Sequence, residues 1–369
     1  MKTAPEFKLR SFLLAAALLG LWGTPASAQQ YIYAYLIDLD RRTAIDLGTF
    51  GGNSSANAIN NAGQVVGQSQ TAEGAGHAFI TGVDGEGMRD LGRAISPNGI
   101  NDAGQVVGVS YAAVGSRAFV TGPDGIGMRE LGALQSATAI NNTGQMAGYS
   151  SSDLGYPHAF IIDPDGIGMR DLGALPWNYS TASAINDAGQ MVGEWLTTEG
   201  LVHAFITGPD GVGARDLGTL GGIFSVANDI NATGQVVGQS AIADGKGEAF
   251  ITGPDGMDMR NLGTLGGRSS IAEGINDAGQ VVGWAQTSEM GGEIHAFVTG
   301  PDGMGMTDLN SLIDLPEGVT LTSAIDINNA GQIIATAMIP EPESYALFLT
   351  GLVLIGWVAW RRKDSPLPA

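Results

Sequence analysis

The sequence predicts an all-β chain, a seven-bladed β-propeller of four-stranded blades closed by pairing N- and C-terminal strands in one blade. Three observations lead there. The phrase INDAGQVVG and its variants open at Ile59, Ile100, Ile140, Ile185, Ile230, Ile275 and Ile327, at intervals of 41, 40, 45, 45, 45 and 52 residues. That is the period of propeller blades and of several helical solenoids. No ten-residue stretch within a unit shows a 3.6-residue apolar period, and Gly and Pro-Asp-Gly interrupt every segment, which removes the helical options. A second phrase, HAFITGPDGxGMRDLG, starts at His77, Arg117, His158, His203, Glu248 and His295, one copy fewer than the first.

The missing copy lies at the other end of the chain. Residues 31–48, YIYAYLIDLDRRTAIDLG, carry Ala34-Tyr35 in the place of Ala-Phe and end on Asp46-Leu47-Gly48. The orphan first half is at residues 322–337. A closed ring whose last blade joins the two ends requires this arrangement; an open solenoid would need polar caps instead.

Each unit then reads as four strands. A Ser/Ala-rich strand ends in Ile-Asn, as in STASAIN at residues 180–186. Asn-Asp-Ala-Gly makes a tight turn, because Asn and Asp favour turn positions and Gly accepts the left-handed conformation. Gln-Val-Val-Gly and His-Ala-Phe-Ile-Thr are strands two and three, Pro-Asp-Gly turns the chain again, and Met-Arg-Asp-Leu-Gly is strand four. The narrow first strand suits the crowded axis and the fourth the periphery. A segment such as Thr219-Leu220-Gly221-Gly222 crosses to the next blade. These crossings share a face with the loops between strands two and three; the NDAG and PDG turns share the opposite face. A propeller hides its sheet edges by radial repetition.

The ends of the chain have a different character. Lys2, Lys8 and Arg10 precede an apolar run from Ser11 to Trp22, and Pro25-Ala26-Ser27-Ala28 places small residues at a signal-peptidase site. Residues 1–28 are expected to be a signal peptide cleaved after Ala28, and residues 29–338 the propeller. At the other end Pro340-Glu341-Pro342 precedes an uncharged, mostly apolar run, 344–360, and then Arg361-Arg362-Lys363. As a helix that run would span roughly 25 Å, the short end of a bilayer crossing, with its basic end held on the cytoplasmic side.

Residues 339–369 resemble the PEP-CTERM sorting tail of Gram-negative bacteria, in which a Pro-Glu-Pro motif, one hydrophobic span and an Arg-rich end direct processing by an exosortase. The resemblance implies export, transient anchoring in the inner membrane, and removal of the tail. Signal peptidase and exosortase are the processing partners it names, and the cell surface or extracellular space the destination. The body, roughly residues 44–335, resembles the HAF family of extracellular repeat proteins through His-Ala-Phe, DLGTLGG and IN-x-x-GQVVG together. That family implies a secreted or surface protein without an established chemistry, so no active site carries over. Arg117 and Glu248 in place of His, and Ile-Ala at the end of the last first phrase, are local departures.

Composition narrows the chemistry. With 37 acidic against 17 basic residues the net charge is −20, which repels nucleic acid and anionic lipid. There is no cysteine, hence no disulfide, thiolate metal site or thiol chemistry. The four His all open the second phrase, so on a ring they sit in different blades, too far apart to share a metal. They are expected to hydrogen-bond locally. The Asn-Asp-x-Gly turns have oxygen ligands of the calcium type, but the second position varies through Asn61, Asp102, Asn142, Asp187, Ala232, Asp277 and Asn329 and no closing Glu follows. No metal and no cofactor is expected. The recurring acid of DLG, at Asp90, Asp171, Asp216 and Asp308, obeys the repeat, whereas catalytic residues break one.

The repeat is broken in the loops between GQVVG and HAF and in the crossings beside them. Tyr111, Tyr149, Tyr156, Trp195 and Trp284 are in the first set, Trp177, Tyr179 and Phe224 in the second. Aromatic faces between Asn, Ser and acidic groups suit stacking on sugars; packing beneath loops is the plainer expectation for the same residues. The function expected from this is an exported, non-enzymatic surface or matrix protein that binds exopolysaccharide through its variable face. The alternatives are a glycosidase or lyase using carboxylates on that face, and a protein-binding scaffold.

Overall fold

Each unit folds as a four-stranded antiparallel meander. The computed structural model describes residues 31–112, 115–132, 134–151, 155–172, 179–289 and 292–339. In blade 1 the strands are Gly51–Ile59, Val65–Thr71, Gly76–Ile80 and Arg89–Arg93, paired in that order. Residues 95–130, 136–171, 180–218, 221–263 and 270–308 form blades 2 to 6 with the same order. The seventh sheet has the order Thr43–Asp46, Tyr31–Asp38, Gln332–Ile339, Thr320–Ile327. Both ends of the chain therefore build one blade, as the unequal phrase counts require. The register runs unbroken from Tyr31 opposite Ile339 to Asp38 opposite Gln332. Tyr35 faces Ala335 there as Phe79 faces Gly67 in blade 1, so the degenerate copy is in phase with the others.

Blades pack through their Phe and aliphatic side chains. Phe79, Phe119, Phe205, Phe250 and Phe297 are fully buried, and each apolar cluster draws on adjacent blades; Phe79, for example, lies with Leu36 and Ile334 of blade 7. Small residues set the spacing inside a blade. A Cβ at Gly67 would stand 2.1 Å from the Ser55 carbonyl oxygen and 2.8 Å from Phe79 Cζ, so the Gly closing each GQVVG is required by close approach.

The first strand of each unit is innermost, its Ile and Asn residues lining the axis. The N–H groups of Asp84 and Gly85 donate to the carbonyls of Ala62 and Gly63 at 3.2 and 2.9 Å, which puts the NDAG and PDG turns on one face. Asp124, Asp210, Asp255 and Asp302 in their PDG turns, and Asp84 in the Val83-Asp84-Gly85 turn of blade 1, take φ of 51–56°, the left-handed region that Asp tolerates better than most side chains. Loops between strands two and three share the opposite face with the crossings. The fourth strand ends at Gly218 and the next inner strand starts at Gly221, so that crossing is shorter than residues 219–222.

Among the described residues no helix is long and apolar enough to cross a membrane. The expected span 344–360, the signal peptide with Ala28, and Pro340, Glu341, Pro342, Arg361 and Arg362 lie outside the described residues, as does Trp177.

Candidate functional site

Most of the repeated polar letters are taken up by bonds between blades. Asn60, Asn101, Asn141, Asn186, Asn231, Asn276 and Asn328 are buried around the axis. Each Nδ2 donates to the backbone carbonyl of its counterpart in the next blade at 2.9–3.3 Å, and Asn328 closes the circle on Asn60 at 3.0 Å. The Asn Oδ1 meanwhile accepts the N–H of the Gln four residues on, as from Gln64 at 2.9 Å. A second circle follows at the next residue, where the backbone N–H of Asn61 donates to Asp102 Oδ1, Asp102 to Asn142, and Asn142 to Asp187. It resumes from Ala232 to Asp277, Asn329 and Asn61. Ala232 has no side-chain acceptor, so the link from Asp187 is missing. The turns read in sequence as non-calcium turns are thus an inter-blade seam.

Further out, Gln64, Gln145, Gln190 and Gln332 donate to the PDG Asp of the following blade at 2.9–3.3 Å. The guanidinium groups of Arg89, Arg215 and Arg260 reach the PDG carbonyls of Asp124, Asp255 and Asp302. The phrase-opening His pairs with the acid of DLG in its own blade: His77 with Asp90 at 2.8 Å, His158 with Asp171 at 3.2 Å, His203 with Asp216 at 2.9 Å, His295 with Asp308 at 2.7 Å. Where the His departs, its partner departs too. Arg117 meets Glu130 at 3.7 Å and Asn261 donates to Glu248 at 2.7 Å. That compensation, at a constant spacing of thirteen residues, was present in the sequence as a signal of contact.

The axial channel carries an asymmetry that the phrase comparison missed. Every inner strand has a one-residue bulge two positions before its Ile, which turns the side chains of Asn57, Asn98, Thr138, Ser183, Asn228, Glu273 and Ile325 into a cavity of about 380 Å³. Bulges re-aim side chains in this way. The next position is Ala or Gly in blades 1 to 4 and in blade 6, but Asp229 in blade 5 and Asp326 in blade 7. Blades 5 to 7 therefore present three carboxylates to a channel whose opposite wall is small and neutral.

Burial pushes the Asp229 carboxyl well above the usual carboxylate range and the Asp326 charge adds to it, against the N–H groups of Ile275 and Ile230. Burial raises Asp326 likewise, against the N–H groups of Ile59 and Ile327. Both oxygens of each carboxylate accept backbone donors, one of them from the neighbouring blade: Ile275 to Asp229 at 2.9 Å and Ile59 to Asp326 at 3.1 Å. The Glu273 carboxyl is raised by burial and partly offset by the Trp284 indole N–H. Among the described residues no three His, Cys, Asp or Glu side chains gather as metal ligands.

The loop-face aromatics divide by burial. Tyr111 and Tyr156 are 57% and 54% exposed. Tyr149, Tyr179, Trp195, Phe224 and Trp284 are half-buried. Trp195 stacks on Phe205 with ring centroids 5.5 Å apart, packs on the core between blades 3 and 4, and finds no partner for its Nε1 among the described residues. Trp284 is tied to Glu273 in the channel. The Tyr179 hydroxyl donates to Glu194 at 2.7 Å; its pKa is pushed up to about 12 by burial first and then by Glu194, with Tyr149 close enough to contribute.

No family model matches the chain and no curated protein matches its sequence. Solved structures do match. One described as TolB from Agrobacterium tumefaciens has a TM-score of 0.50 at 10% identity, over 85% of this chain and 99% of that one. The propeller domain of the Trilobed protease from Pyrococcus furiosus, described as having an open velcro topology, has a TM-score of 0.51 at 11% identity, over 74% and 87%. An acylaminoacyl peptidase from Pyrococcus horikoshii has a TM-score of 0.51 at 11% identity, over 77% of this chain and 49% of that one. At such identities the likeness is one of scaffold: this chain is a seven-bladed β-propeller.

Proposed function

We propose that the protein is an exported propeller that binds a carbohydrate polymer on its loop face and does no chemistry on it. One observation carries the reading. Tyr111 and Tyr156 stand exposed on the face where the blades differ, while most repeated polar residues are engaged between or within blades. An exposed ring offers the flat apolar surface a pyranose stacks on, and binding residues concentrate on variable loops over a rigid frame. The net charge of −20 favours a neutral polymer over an acidic one. Export and sorting rest on the basic-apolar start ending at Ala28 and on the Pro340-Glu341-Pro342, apolar and Arg361-Arg362 series. Intact mass of secreted protein tests them; Arg361 still attached in fully exported material would end the sorting reading.

The channel carboxyl groups favour a glycosidase or lyase as the second reading, since one protonated and one ionised carboxyl flanking the bond to be cut are what glycoside cleavage uses. Against it, both oxygens of Asp229 and of Asp326 are occupied by backbone N–H groups. A pull-down on insoluble neutral and acidic polysaccharides, with an assay for new reducing ends or unsaturated products, decides between the two. Binding to neutral polymer without new ends is expected. Tyr111→Ala with Tyr156→Ala should lower retention at least ten-fold with an unchanged melting temperature. Release of new ends, or retention indifferent to both tyrosines, would overturn the proposal.

A further inference from the structure

The turn face holds side chains that the fold does not require. The residue after each PDG turn is Ile126, Ile167, Val212, Met257 and Met304 in blades 2 to 6, and these five are 55–84% exposed. In blades 2, 4, 5 and 6 the turn uses only their backbone, as where Ile126 N–H donates to the Pro123 carbonyl and its own carbonyl accepts from Gly122; in blade 3 Ile167 N–H donates to Asp165 Oδ1 instead. Blade 1 makes the same turn with Glu86, which donates to Val83 and accepts from Gly82. A charged residue is therefore tolerated, and the apolar choice in five successive blades answers to something outside the fold. A lone exposed aliphatic residue is ordinary; an arc of them at one repeating position marks an interaction surface.

The surroundings of the arc state the chemistry of its partner. Exposed carboxylates precede it at Asp124, Asp165, Asp210, Asp255 and Asp302. Of the nearby cations, Arg89, Arg215 and Arg260 are spent on carbonyls of the next blade, Arg129 lies against Gly166 in the blade-3 turn and Arg41 pairs with Asp38. The five carboxylates thus face only Arg42 and Arg170 as further exposed cations. The turn segments on this face contain no aromatic residue, so nothing there stacks on a sugar. Acidity disfavours anionic lipid and nucleic acid, and the net charge of −20 disfavours a second copy. What remains complementary is a polypeptide carrying aliphatic side chains and positive charge.

We propose that the turn face is a protein-docking surface, on which the arc from Ile126 to Met304 with its flanking Asp residues takes a basic, amphipathic segment of another protein. The surface is separate from the loop face proposed for carbohydrate.

Fluorescence anisotropy with three labelled probes tests this on the full-length protein: an amphipathic Leu/Lys peptide, a Ser/Lys peptide of equal charge, and a Leu/Glu peptide. The Leu/Lys probe is expected to bind at least ten-fold more tightly than either other. The triple substitution Ile126→Glu, Ile167→Glu, Val212→Glu should weaken it at least ten-fold at unchanged melting temperature. Added negative charge would strengthen a merely electrostatic attraction, so this loss identifies the apolar contact. Should the triple variant fail to fold, Met257→Glu with Met304→Glu asks the same of the other half of the arc. Equal binding of Leu/Lys and Ser/Lys probes, or unchanged binding by a folded variant, overturns the proposal. So does a wild-type dimer in sedimentation that the variant lacks, since a second copy would then be the occupant.

Discussion

The turn face and the loop face of this propeller are built from the same repeat and follow opposite rules. On the turn face the blades agree at the buried Asn of each inner turn, and agreement is what the contacts demand: one blade's Asn amide must meet the next blade's carbonyl seven times for the circle to close. On the loop face the blades differ in length and composition, and the regular bridges between blades are confined to strand ends, where the N–H groups of Ala34, Ala159, Ala204 and Ala249 donate to Ser54, Ser180, Ser225 and Ser270 of the next blade. Repetition of the buried polar residues here signals stability, and departure from repetition signals either function or local packing. Where two blades depart together inside the channel, as at Asp229 and Asp326, the result is a buried pair of carboxyl groups that the turn-face pattern nowhere contains.

The severest way to break the comparison is to remove the blade both ends share. A chain beginning at Gly52 lacks Tyr31–Asp38 and Thr43–Asp46, leaving Gln332–Ile339 as an unpaired edge and uncovering Ile333 and Ile334. Such a chain is expected to aggregate or to lose its cooperative thermal transition; an unchanged melt by circular dichroism would show that the ring does not depend on this closure.

Next in size is one link of the Asn circle. Asn186→Ala removes a buried donor to the Asn231 carbonyl and an acceptor for the N–H groups of Ala188 and Gln190. Unsatisfied buried groups cost about 1–3 kcal/mol each, so a loss of roughly 2–4 kcal/mol in denaturant melts is expected. A change below 1 kcal/mol would make the circle decorative.

The loop face should split by burial. Trp195→Ala is expected to cost roughly 2–4 kcal/mol, because the ring packs on Phe205 and leaves a cavity. Tyr111→Ala should stay within about 0.5 kcal/mol, as an exposed position does. Equal effects on the melting temperature would erase the distinction.

The carboxylate pair predicts a pH dependence. The Asp229 and Asp326 carboxyls are raised in the fold, so between the unfolded value of about 4 and their folded values the native state holds protons that the unfolded chain has released. Their contribution is fully present at acidic pH and is lost as pH rises through the folded values. Asp229→Ala installs the residue that blades 1, 3 and 4 carry. It should flatten the fall in melting temperature between pH 5 and 8 by a few degrees. A steeper fall in the variant would reverse the assignment. Smallest of all, Ala232→Asn offers Asp187 the acceptor its circle lacks and is expected to stabilise by about 1 kcal/mol or less, read by the same melts.

The sequence by itself determined the number of blades, the four strands of each, the closure through residues 31–48 and the sharing of faces by turns and loops. These follow from local chemistry repeated at a fixed period: Gly and Asn positions that force turns, alternation that makes strands, and a half-unit at either end that must find its complement. Tertiary structure decided what those letters touch. His77 and Asp90 are thirteen residues apart on adjacent strands, Asn60 and Asn328 are joined across the closure, and Trp195 lies against Phe205 of its own blade while Tyr111 stands exposed. Burial and pairing of this kind depend on how blade packs against blade, as where Phe79 of blade 1 meets Leu36 and Ile334 of blade 7. No single unit carries that packing in its own residues.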